Sequence, residues 1–389
     1  MGPYLQKLTV PYEYPVYFTT EVFSADNPDL VEAIARKEPS RRHRVLVVVE
    51  RAVAEAWPDL VDAARRYVAR HAERLELVAD PWIVPGGEAA KNDPAVLAAL
   101  QTRLHQLRLD RQAVVLLVGG GALLDVGGYA AATVHRGIRV VRVPTTVLAQ
   151  ADSGVGVKNG VNAFGMKNFF GAFAPPFAVL NDARFLRTLE RRDTVAGMAE
   201  AVKVALIRDA DLFRWLQARA GALAGGDPDA LAELIRRSAQ LHLDHIATSG
   251  DPFEMGSARP LDFGHWAAHK LESLTGNRLR HGEAVAIGIA LDTVYSAGAG
   301  LLAPAAVEPV LALLETLGFR LWDDALALAA APRARPAVLD GLAEFREHLG
   351  GELTVTLLAE IGRGVEVHEM REERVLAALA DLRRRAGAA

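Results

Sequence analysis

The chain has 389 residues, which is too long for one ordinary hydrophobic core and predicts two domains. Half of the residues are hydrophobic and 24% are charged, as in globular proteins. The net charge is −4 with both signs interspersed along the chain, so no nucleic-acid partner is expected. Because cysteine is absent, disulfides, thiolate nucleophiles and thiolate metal ligands are excluded, and any metal must be held by nitrogen and oxygen atoms.

Neither a signal peptide nor a membrane anchor is expected. Residues 1–22 mix aromatic, polar and proline residues without a continuous apolar stretch. The longest apolar run, at 113–133, is broken by glycines and by Asp125, so it is too short to span a bilayer. We therefore expect a cytoplasmic protein without a membrane partner.

Short β-branched runs alternate with helical patterns in the first half of the chain. The predicted elements are, in order, a strand at 44–49, a helix at 58–74, a strand at 75–78, a helix at 93–107, and strands at 113–118 and 139–143. Asp93 is placed to cap its helix, since Pro94 suits the first helical position. This alternation predicts a mostly parallel sheet with helices on its faces.

After about residue 182 the pattern becomes mainly helical. The predicted elements are helices at 193–207, 228–245, 265–275 and 283–297, followed by one strand at 352–358. We predict a Rossmann-like α/β domain over residues 1–183 and a mainly α-helical domain over 184–389. The cleft between the two domains is the expected ligand site.

A glycine turn follows the strand at 113–118. Gly120 and Gly121 belong to this turn, and Asp125 stands at the start of the next helix. Such a turn lets the backbone approach a pyrophosphate at a helix N-terminus, although a plain tight turn with Asp125 as a helix cap is the alternative.

Two further segments favour a dinucleotide site. Glu88 and Lys91 lie in a predicted loop, and Thr145 and Thr146 follow the strand at 139–143. Carboxylates suit ribose hydroxyls, while lysine and threonine suit phosphate oxygens.

A metal site is predicted in the second half. His265 and His269 lie four residues apart on one helical face, His281 follows in a turn, and Glu200 and Lys203 lie one turn apart on another helix. Two histidines and one carboxylate form a zinc arrangement, but the spacing alone leaves open which two histidines ligate. The alternatives are a coincidental histidine spacing and a solvated charged pair.

The stretch at 152–168 is rich in glycine and lacks hydrophobic periodicity. It carries Lys158, Lys167 and Asn168. Lysines in a buried loop predict an anion such as a substrate phosphate, whereas an exposed flexible loop is the alternative.

These residues resemble the 3-dehydroquinate synthase and sugar phosphate cyclase superfamily, collinearly from about residue 50 to 361. The motifs are GGGALLD, HRG, VPTTVLAQADSGVGVK, GMKN, GMAEAVK, GHWAAH and HGEAVAIG. The resemblance implies a dehydroquinate synthase-like fold with an NAD-binding domain and a metal-binding domain.

The resemblance also implies residue roles. Glu200, His265 and His281 would ligate the metal, usually zinc, with cobalt as the alternative. NAD would be held by Glu50, Glu88, Lys91, Gly120, Gly121, Asp125, Thr145, Thr146, Lys158, Lys167 and Phe185. The substrate pocket and its phosphate subsite would be formed by Asp152, Lys203, His269, Lys158 and Asn168. Arg136 of the HRG motif would reach the partner's site in a homodimer.

By the same resemblance, the chain is a carbon–oxygen lyase acting on a small sugar phosphate. NAD transiently oxidises a ring hydroxyl, inorganic phosphate leaves, the hydride returns, and the opened ring closes by an intramolecular aldol step. The reaction has no net redox change.

Several positions depart from dehydroquinate synthases. Their substrate-carboxylate lysine and arginine correspond to Asp244 and Ala258, with Arg259 adjacent, and their asparagine corresponds to Asp262. An acid in place of a cation repels an anionic substrate by about 4 kcal/mol at about 4 Å. We therefore predict a ketose or aldose phosphate without a carboxylate, similar to sedoheptulose 7-phosphate.

The segments PYEYPVYFTTEVF and DSGVGVKNGVNAFGMKNFFGAF most resemble the cyclase branch encoded in Ebo operons. Arg346 stands where the family has paired lysines, and it is a candidate phosphate contact. The alternatives are a dehydroquinate synthase working through Arg259, a metal-dependent NAD polyol dehydrogenase, and a catalytically inactive binding protein.

Overall fold

The structure is a computed structural model that describes residues 2–248, 253, 260–330, 335–348 and 351–387. Across these residues, no helix combines the length and the apolar character that crossing a membrane requires.

A seven-stranded parallel sheet forms the first half of the molecule. The strands of the structure are β1 (Val16–Thr19), β2 (His43–Glu50), β3 (Leu75–Leu77), β4 (Trp82–Val84), β5 (Val114–Gly119), β6 (Arg139–Pro144), β7 (Lys158–Ala163), β8 (Met166–Phe173), β9 (Ala178–Asp182), β10 (Ala329–Ala330), β11 (Arg335–Pro336), β12 (Val355–Glu360) and β13 (Arg363–Val367). The sheet order is β1-β9-β6-β5-β2-β3, and β4 also pairs with β2. All of these pairings are parallel, as predicted.

Helices cover the sheet and build the second half. They are α1 (Asp29–Ala35), α2 (Arg51–Ala56), α3 (Leu60–Arg70), α4 (Gly87–Asn92), α5 (Pro94–Gln106), α6 (Gly121–Thr133), α7 (Arg191–Gly197), α8 (Ala199–Arg208), α9 (Ala210–Ala224), α10 (Pro228–Thr248), α11 (His265–Leu274), α12 (His281–Gly298), α13 (Val307–Leu317), α14 (Asp340–His348) and α15 (Glu372–Arg385). The predicted fold class is thus confirmed.

Successive side chains of a strand point to opposite faces of the sheet, and in β2 both sets are buried. Val45, Val47 and Val49 of β2 join one buried apolar cluster, and Leu46 and Val48 join another on the opposite face. Because a strand with two buried faces needs apolar residues at every position, the run is continuous rather than alternating. A third cluster fills the helical domain. The domain boundary at residues 183/184 stays a prediction.

Most predicted elements are confirmed within a few residues. Asp93 caps α5 as predicted, because its Oδ1 accepts a hydrogen bond from Ala95 N at 2.9 Å. The helix predicted at 58–74 is shorter, covering Leu60–Arg70. The helix predicted at 193–207 is two helices, because the helical path breaks at Met198 between α7 and α8.

The prediction of an irregular loop at 152–168 is wrong over its second part. Strands β7 and β8 form an antiparallel hairpin whose turn contains Phe164 and Gly165. Asn159 of β7 is buried, and its amide donates to the Ala174 carbonyl at 3.1 Å. A buried polar side chain replaces the apolar alternation that normally marks a strand, which is why the pattern did not indicate one.

Three smaller predictions are also corrected. Residues 87–91, predicted as a loop, belong to α4. His281, predicted in a turn, is the first residue of α12. Asp125 is not a helix cap, since Gly120 is the N-cap of α6 and Asp125 lies in its second turn.

Candidate functional site

The carboxyl ends of the parallel strands face the helical domain across a cleft of about 620 Å³. Glu50 ends β2, Gly120 follows β5, and Thr146 follows β6, so that all three line one wall. Glu272 and His281 of the helical domain line the opposite wall. The cleft lies where ligands bind in open parallel sheets, as expected.

Three side chains from three helices converge beside this cleft. Glu200 lies in the first turn of α8, His265 begins α11 and His281 begins α12. Glu200 Oε1 lies 3.5 Å from His265 Nε2 and 3.4 Å from His281 Nε2. Each residue offers one ligand atom, and these atoms lie within 4.8 Å of one another. This grouping fits the set Glu200, His265 and His281 that the resemblance implies, and His281 as second ligand stays a prediction.

Two glycines allow the helices to approach so closely. A Cβ on Gly282 would lie 1.7 Å from the Ala196 carbonyl of α7, and a Cβ on Gly288 would lie 2.0 Å from the Gly264 carbonyl. Any larger residue at these positions would push α12 away from α7 and from the start of α11. The glycine spacing in α12 thus brings His281 and His265 to Glu200.

The surroundings of Glu200 fit a divalent cation. Glu200 is 1% exposed, and its Oε1 is buried without a hydrogen-bond donor among the described residues. Burial alone would raise the pKa of Glu200, but the Lys203 ammonium and the neighbouring imidazoles hold that pKa well below its ordinary value. A buried, ionised oxygen facing two imidazole nitrogens is the donor set that zinc or cobalt accepts.

Lys203 and Asp152 continue the polar cluster. Lys203 is 4% exposed and pairs with Glu200 one turn earlier on α8. Burial would lower the pKa of Lys203, but the carboxylates of Glu200 and Asp152 raise it, so that the lysine stays charged. Asp152 lies on a short π-helical turn, Ala149–Ser153, a geometry often found at functional sites. Its Oδ1 lies 2.9 Å from His242 Nδ1.

The second helical histidine is close to the metal triad but does not belong to it. The ring centroid of His269 lies 5.4 Å from that of His265 and 6.3 Å from that of His281. Burial and the nearby His265 lower the pKa of His269 to about 3, so its ring is neutral at physiological pH. A neutral imidazole can accept a hydrogen bond from a substrate at one nitrogen and donate one from the other.

On the sheet side, the glycine turn encloses a carboxylate. Gly120 N donates a 2.7 Å hydrogen bond to Glu50 Oε2, and burial raises the pKa of Glu50. Thr145 Oγ1 and Ser153 Oγ are buried without partners among the described residues, and a Cβ on Gly121 would meet Ser153 Oγ at 2.8 Å. Unpaired hydroxyls beside a glycine turn fit a polar ligand such as a dinucleotide.

The hairpin carries two of the predicted binding residues to the cleft. The Nζ atom of Lys91, on α4, lies 2.5 Å from Asn168 Oδ1 and 2.6 Å from Asp125 Oδ2.

The other hairpin residue contacts two acids. Lys167 Nζ lies 2.5 Å from Glu272 Oε1 and 3.6 Å from Glu88 Oε1. The predicted nucleotide and phosphate residues are thus brought together. Lys158, at the start of β7, is exposed.

Phe185 and Arg136 lie apart from the cleft and from the polar groups gathered beside it. Phe185 is 3% exposed and packs edge-to-face on Trp57 within the core of the sheet domain. Arg136 lies exposed in the turn before β6, at the amino end of the parallel strands and away from the cleft. Both roles stay predictions, and that of Arg136 requires a second subunit.

Some of the positions that depart from dehydroquinate synthases lie within the described residues. The charge of Asp262 contributes to raising the Lys203 pKa, which places this acid near the lysine. Asp244 lies exposed near the end of α10, and Arg346 lies exposed on α14. Ala258 and Arg259 lie outside the described residues.

Sequence reasoning missed several residues at the site. Glu272 lies seven residues after His265 and three after His269, so helical spacing alone could have indicated its position on the same face. His242 reaches Asp152 and Asn162 reaches Glu88 through contacts between distant segments, and no local pattern indicates these. Asp292 accepts hydrogen bonds from the residues on either side of His265, again across helices.

Fold and site together define a class of two-domain enzyme in which a parallel-sheet domain faces a helical domain that carries a candidate divalent-metal triad. Residues 81–196 match the family model "3-dehydroquinate synthase N-terminal", and residues 197–334 match "3-dehydroquinate synthase C-terminal". The chain belongs to the 3-dehydroquinate synthase family.

Curated relatives and solved structures agree with this membership. The chain is 37% identical over 355 residues to a 3-dehydroquinate synthase of Ruegeria pomeroyi, covering 90% of this chain and 93% of that one. It is similar to the 2-epi-5-epi-valiolone synthase ValA of Streptomyces hygroscopicus subsp. jinggangensis 5008, solved with NAD⁺ and Zn²⁺, with a TM-score of 0.85 and 29% identity over 98% of this chain and 100% of that one.

A 2-deoxy-scyllo-inosose synthase complexed with carbaglucose-6-phosphate, NAD⁺ and Co²⁺ shares the fold, with a TM-score of 0.75 and 23% identity over 94% of this chain and 96% of that one. The expected cofactor pair of NAD with zinc or cobalt is therefore the pair bound by these structural neighbours. The resemblance to the Ebo branch stays a prediction, because the curated relative carries the name 3-dehydroquinate synthase.

Proposed function

We propose that this protein is a sugar phosphate cyclase, dependent on NAD and a divalent metal, that acts on a sugar phosphate without a carboxylate. The substrate would be similar to sedoheptulose 7-phosphate, and the products would be inorganic phosphate and a cyclic ketone or cyclitol. Family membership supports the reaction class. The cytoplasmic homodimer predicted from the sequence is part of the same proposal.

The charge around Lys203 carries the substrate proposal. Glu200 pairs with Lys203, and the charges of Asp152 and Asp262 also raise the Lys203 pKa. Of these three acids, Asp262 is the one that departs from dehydroquinate synthases. A substrate carboxylate would add a further negative charge here, whereas neutral hydroxyls can donate to the acids and accept from the lysine.

Each residue of the site would have a defined task. Glu200, His265 and His281 would hold the metal; Lys203 and Asp152 would hydrogen-bond and orient the sugar hydroxyls. Neutral His269 would accept a hydrogen bond from the substrate. When bound, NAD supplies a transient hydride acceptor and the metal polarises the reacting oxygen.

A second candidate is 3-dehydroquinate synthase itself. It is favoured by the 37% identity to the Ruegeria enzyme over 90% of this chain. In that case a cation outside the described residues, such as Arg259, would have to balance the substrate carboxylate.

Phosphate release by the purified protein, loaded with Zn²⁺ and NAD⁺, tests the proposal. The substrates would be sedoheptulose 7-phosphate, glucose 6-phosphate and 3-deoxy-arabino-heptulosonate 7-phosphate, with NADH absorbance followed in parallel. We expect release from a neutral sugar phosphate without NADH accumulation, and no release by a Glu200→Gln variant.

The other outcomes distinguish the alternatives. Release from the carboxylated heptulosonate alone would overturn the substrate proposal and favour dehydroquinate synthase. Stoichiometric NADH without phosphate would instead indicate a polyol dehydrogenase.

A further inference from the structure

Glu272 is a buried carboxylate between the proposed metal triad and the β7–β8 hairpin. Its side chain is 3% exposed and makes two contacts with charged or polar groups. Oε2 lies 3.3 Å from His281 Nδ1, and Oε1 lies 2.5 Å from Lys167 Nζ. Glu272 therefore connects a proposed metal ligand, through a single side chain, to Lys167, a lysine that the sequence predicts to meet an anion.

The contact with His281 controls which nitrogen faces the triad. His281 Nε2 points to Glu200 Oε1 at 3.4 Å, and Nδ1 on the other side of the ring points to Glu272. A carboxylate that accepts from Nδ1–H leaves the lone pair on Nε2, fixes the ring orientation and increases its basicity. These are the properties that a metal-ligating histidine requires.

The contact with Lys167 places a positive charge beside the same carboxylate. Lys167 lies on β8 between two acids, Glu272 of α11 and Glu88 of α4, which belong to opposite sides of the cleft. While Lys167 is held there, part of the Glu272 charge is neutralised. If a phosphate draws Lys167 away, the full charge of Glu272 acts on His281.

We propose that Glu272 is a positioning residue that orients His281 toward the metal and couples metal affinity to the position of Lys167. This inference rests on the metal site of the proposed function. Engagement of Lys167 by a phosphate group of NAD or of the substrate would strengthen metal ligation through Glu272, and metal binding would reciprocally favour the release of Lys167 to that phosphate.

Metal titrations of the metal-free protein test this coupling. Zn²⁺ affinity would be measured by competition with a chelating dye, and the ligand field by the visible absorption of the Co²⁺ form. The variants are Glu272→Gln, Lys167→Met and the double variant. The matched control is Glu344→Gln. Glu344 lies on α14 outside the site, and its carboxylate pairs at 2.5 Å with Lys270, which is on α11 like Glu272.

We expect Glu272→Gln to weaken Zn²⁺ binding by about 10- to 100-fold and to shift the Co²⁺ absorption bands. Lys167→Met should tighten Zn²⁺ binding when Glu272 is present and leave it unchanged in the Glu272→Gln background. Glu344→Gln should match the wild type. Glu272→Asp, which keeps the charge at a shorter reach, should give an intermediate affinity and provides a second test should Glu272→Gln fold poorly.

Three outcomes would overturn the inference. Wild-type affinity and an unchanged Co²⁺ spectrum in Glu272→Gln would remove the positioning role while leaving the metal site intact. Equal tightening by Lys167→Met in both backgrounds would show direct repulsion by the lysine rather than coupling through Glu272. A wild-type protein that binds no metal at the triad would refute the proposed function together with this inference.

Discussion

Asp292 lies fully buried on α12 beneath the first turn of α11. Its Oδ2 accepts a hydrogen bond from Gly264 N at 3.0 Å, and its Oδ1 accepts one from Trp266 Nε1 at 2.8 Å. These two residues flank His265, so the acid fixes the start of the helix that carries this histidine. Burial raises the pKa of Asp292 to about 7, because two neutral donors only partly replace the lost hydration.

This raised pKa predicts a stability that depends on pH. The folded protein favours the protonated acid, so this contribution is fully present below the unfolded-chain pKa of 3.8 and is lost as the pH rises through about 7. Across that window the loss is at most about 4 kcal/mol of unfolding free energy. Asp292→Asn cannot titrate, so its unfolding free energy should fall less steeply.

Denaturant unfolding of the metal-free protein at a series of pH values measures this difference. Asp381→Asn on the exposed face of α15 should keep the wild-type slope and serves as the control. If plots of unfolding free energy against pH had the same slope for the wild type and Asp292→Asn, the prediction would be wrong.

At the scale of elements, the β7–β8 hairpin is fastened by one buried cation. Arg142 of β6 is 1% exposed and donates to the Gly156 carbonyl at 2.7 Å, the Gly154 carbonyl at 3.1 Å and Asn159 Oδ1 at 2.6 Å. The strand at 139–143 was predictable from its β-branched residues. The hairpin was not, because it depends on a buried asparagine of its own first strand and a buried arginine of β6, and buried polar residues do not mark a strand.

Replacing this cation should loosen the hairpin. Arg142→Met would leave several buried acceptors without donors and should lower the unfolding free energy by about 3 kcal/mol or more. Limited trypsin digestion should then cleave after Lys158 or Lys167 faster than in the wild type.

Arg44→Met is the matched control for this variant. Arg44 of β2 also donates to two backbone carbonyls, those of Leu107 and Arg108, but close to the surface. Arg44→Met should lower the unfolding free energy by less than about 1.5 kcal/mol and leave the rate of trypsin cleavage in the hairpin unchanged. Equal effects of the two variants would refute the role assigned to Arg142.

At the scale of the whole molecule, the two-domain plan and the side of the sheet that carries the site were predictable. Continuous apolar runs such as the one in β2 occur where a parallel strand is covered on both faces, and loops at the carboxyl ends of such strands share one edge. The grouping of His281, rather than His269, with Glu200 and His265 was not predictable from spacing, because it depends on how closely Gly282 and Gly288 let α12 pack.

The predicted homodimer can be tested by complementation between inactive variants. If Arg136 acts in the partner's site, Arg136→Ala and Glu200→Gln should each be inactive alone. Random mixed dimers contain one site with both residues intact, so co-expression at equal levels should restore about one quarter of wild-type phosphate release.

The control is co-expression of Glu200→Gln with His281→Ala. Each of these substitutions disables the proposed metal site of its own chain, so neither chain of a mixed dimer can form an intact site. Failure of the first pair to recover activity, or a monomer by light scattering, would show that Arg136 does not act across subunits.

The three proposed metal ligands come from α8, α11 and α12, whereas the glycine turn and Thr145 belong to the ends of sheet strands. A metal ion would therefore cross-link helices of one domain, and a dinucleotide would order loops of the other. Deuterium uptake resolved by peptide would separate the two binding events, because each ligand would slow exchange in a different half of the chain. Occupancy of either site could then be followed without a substrate and without turnover.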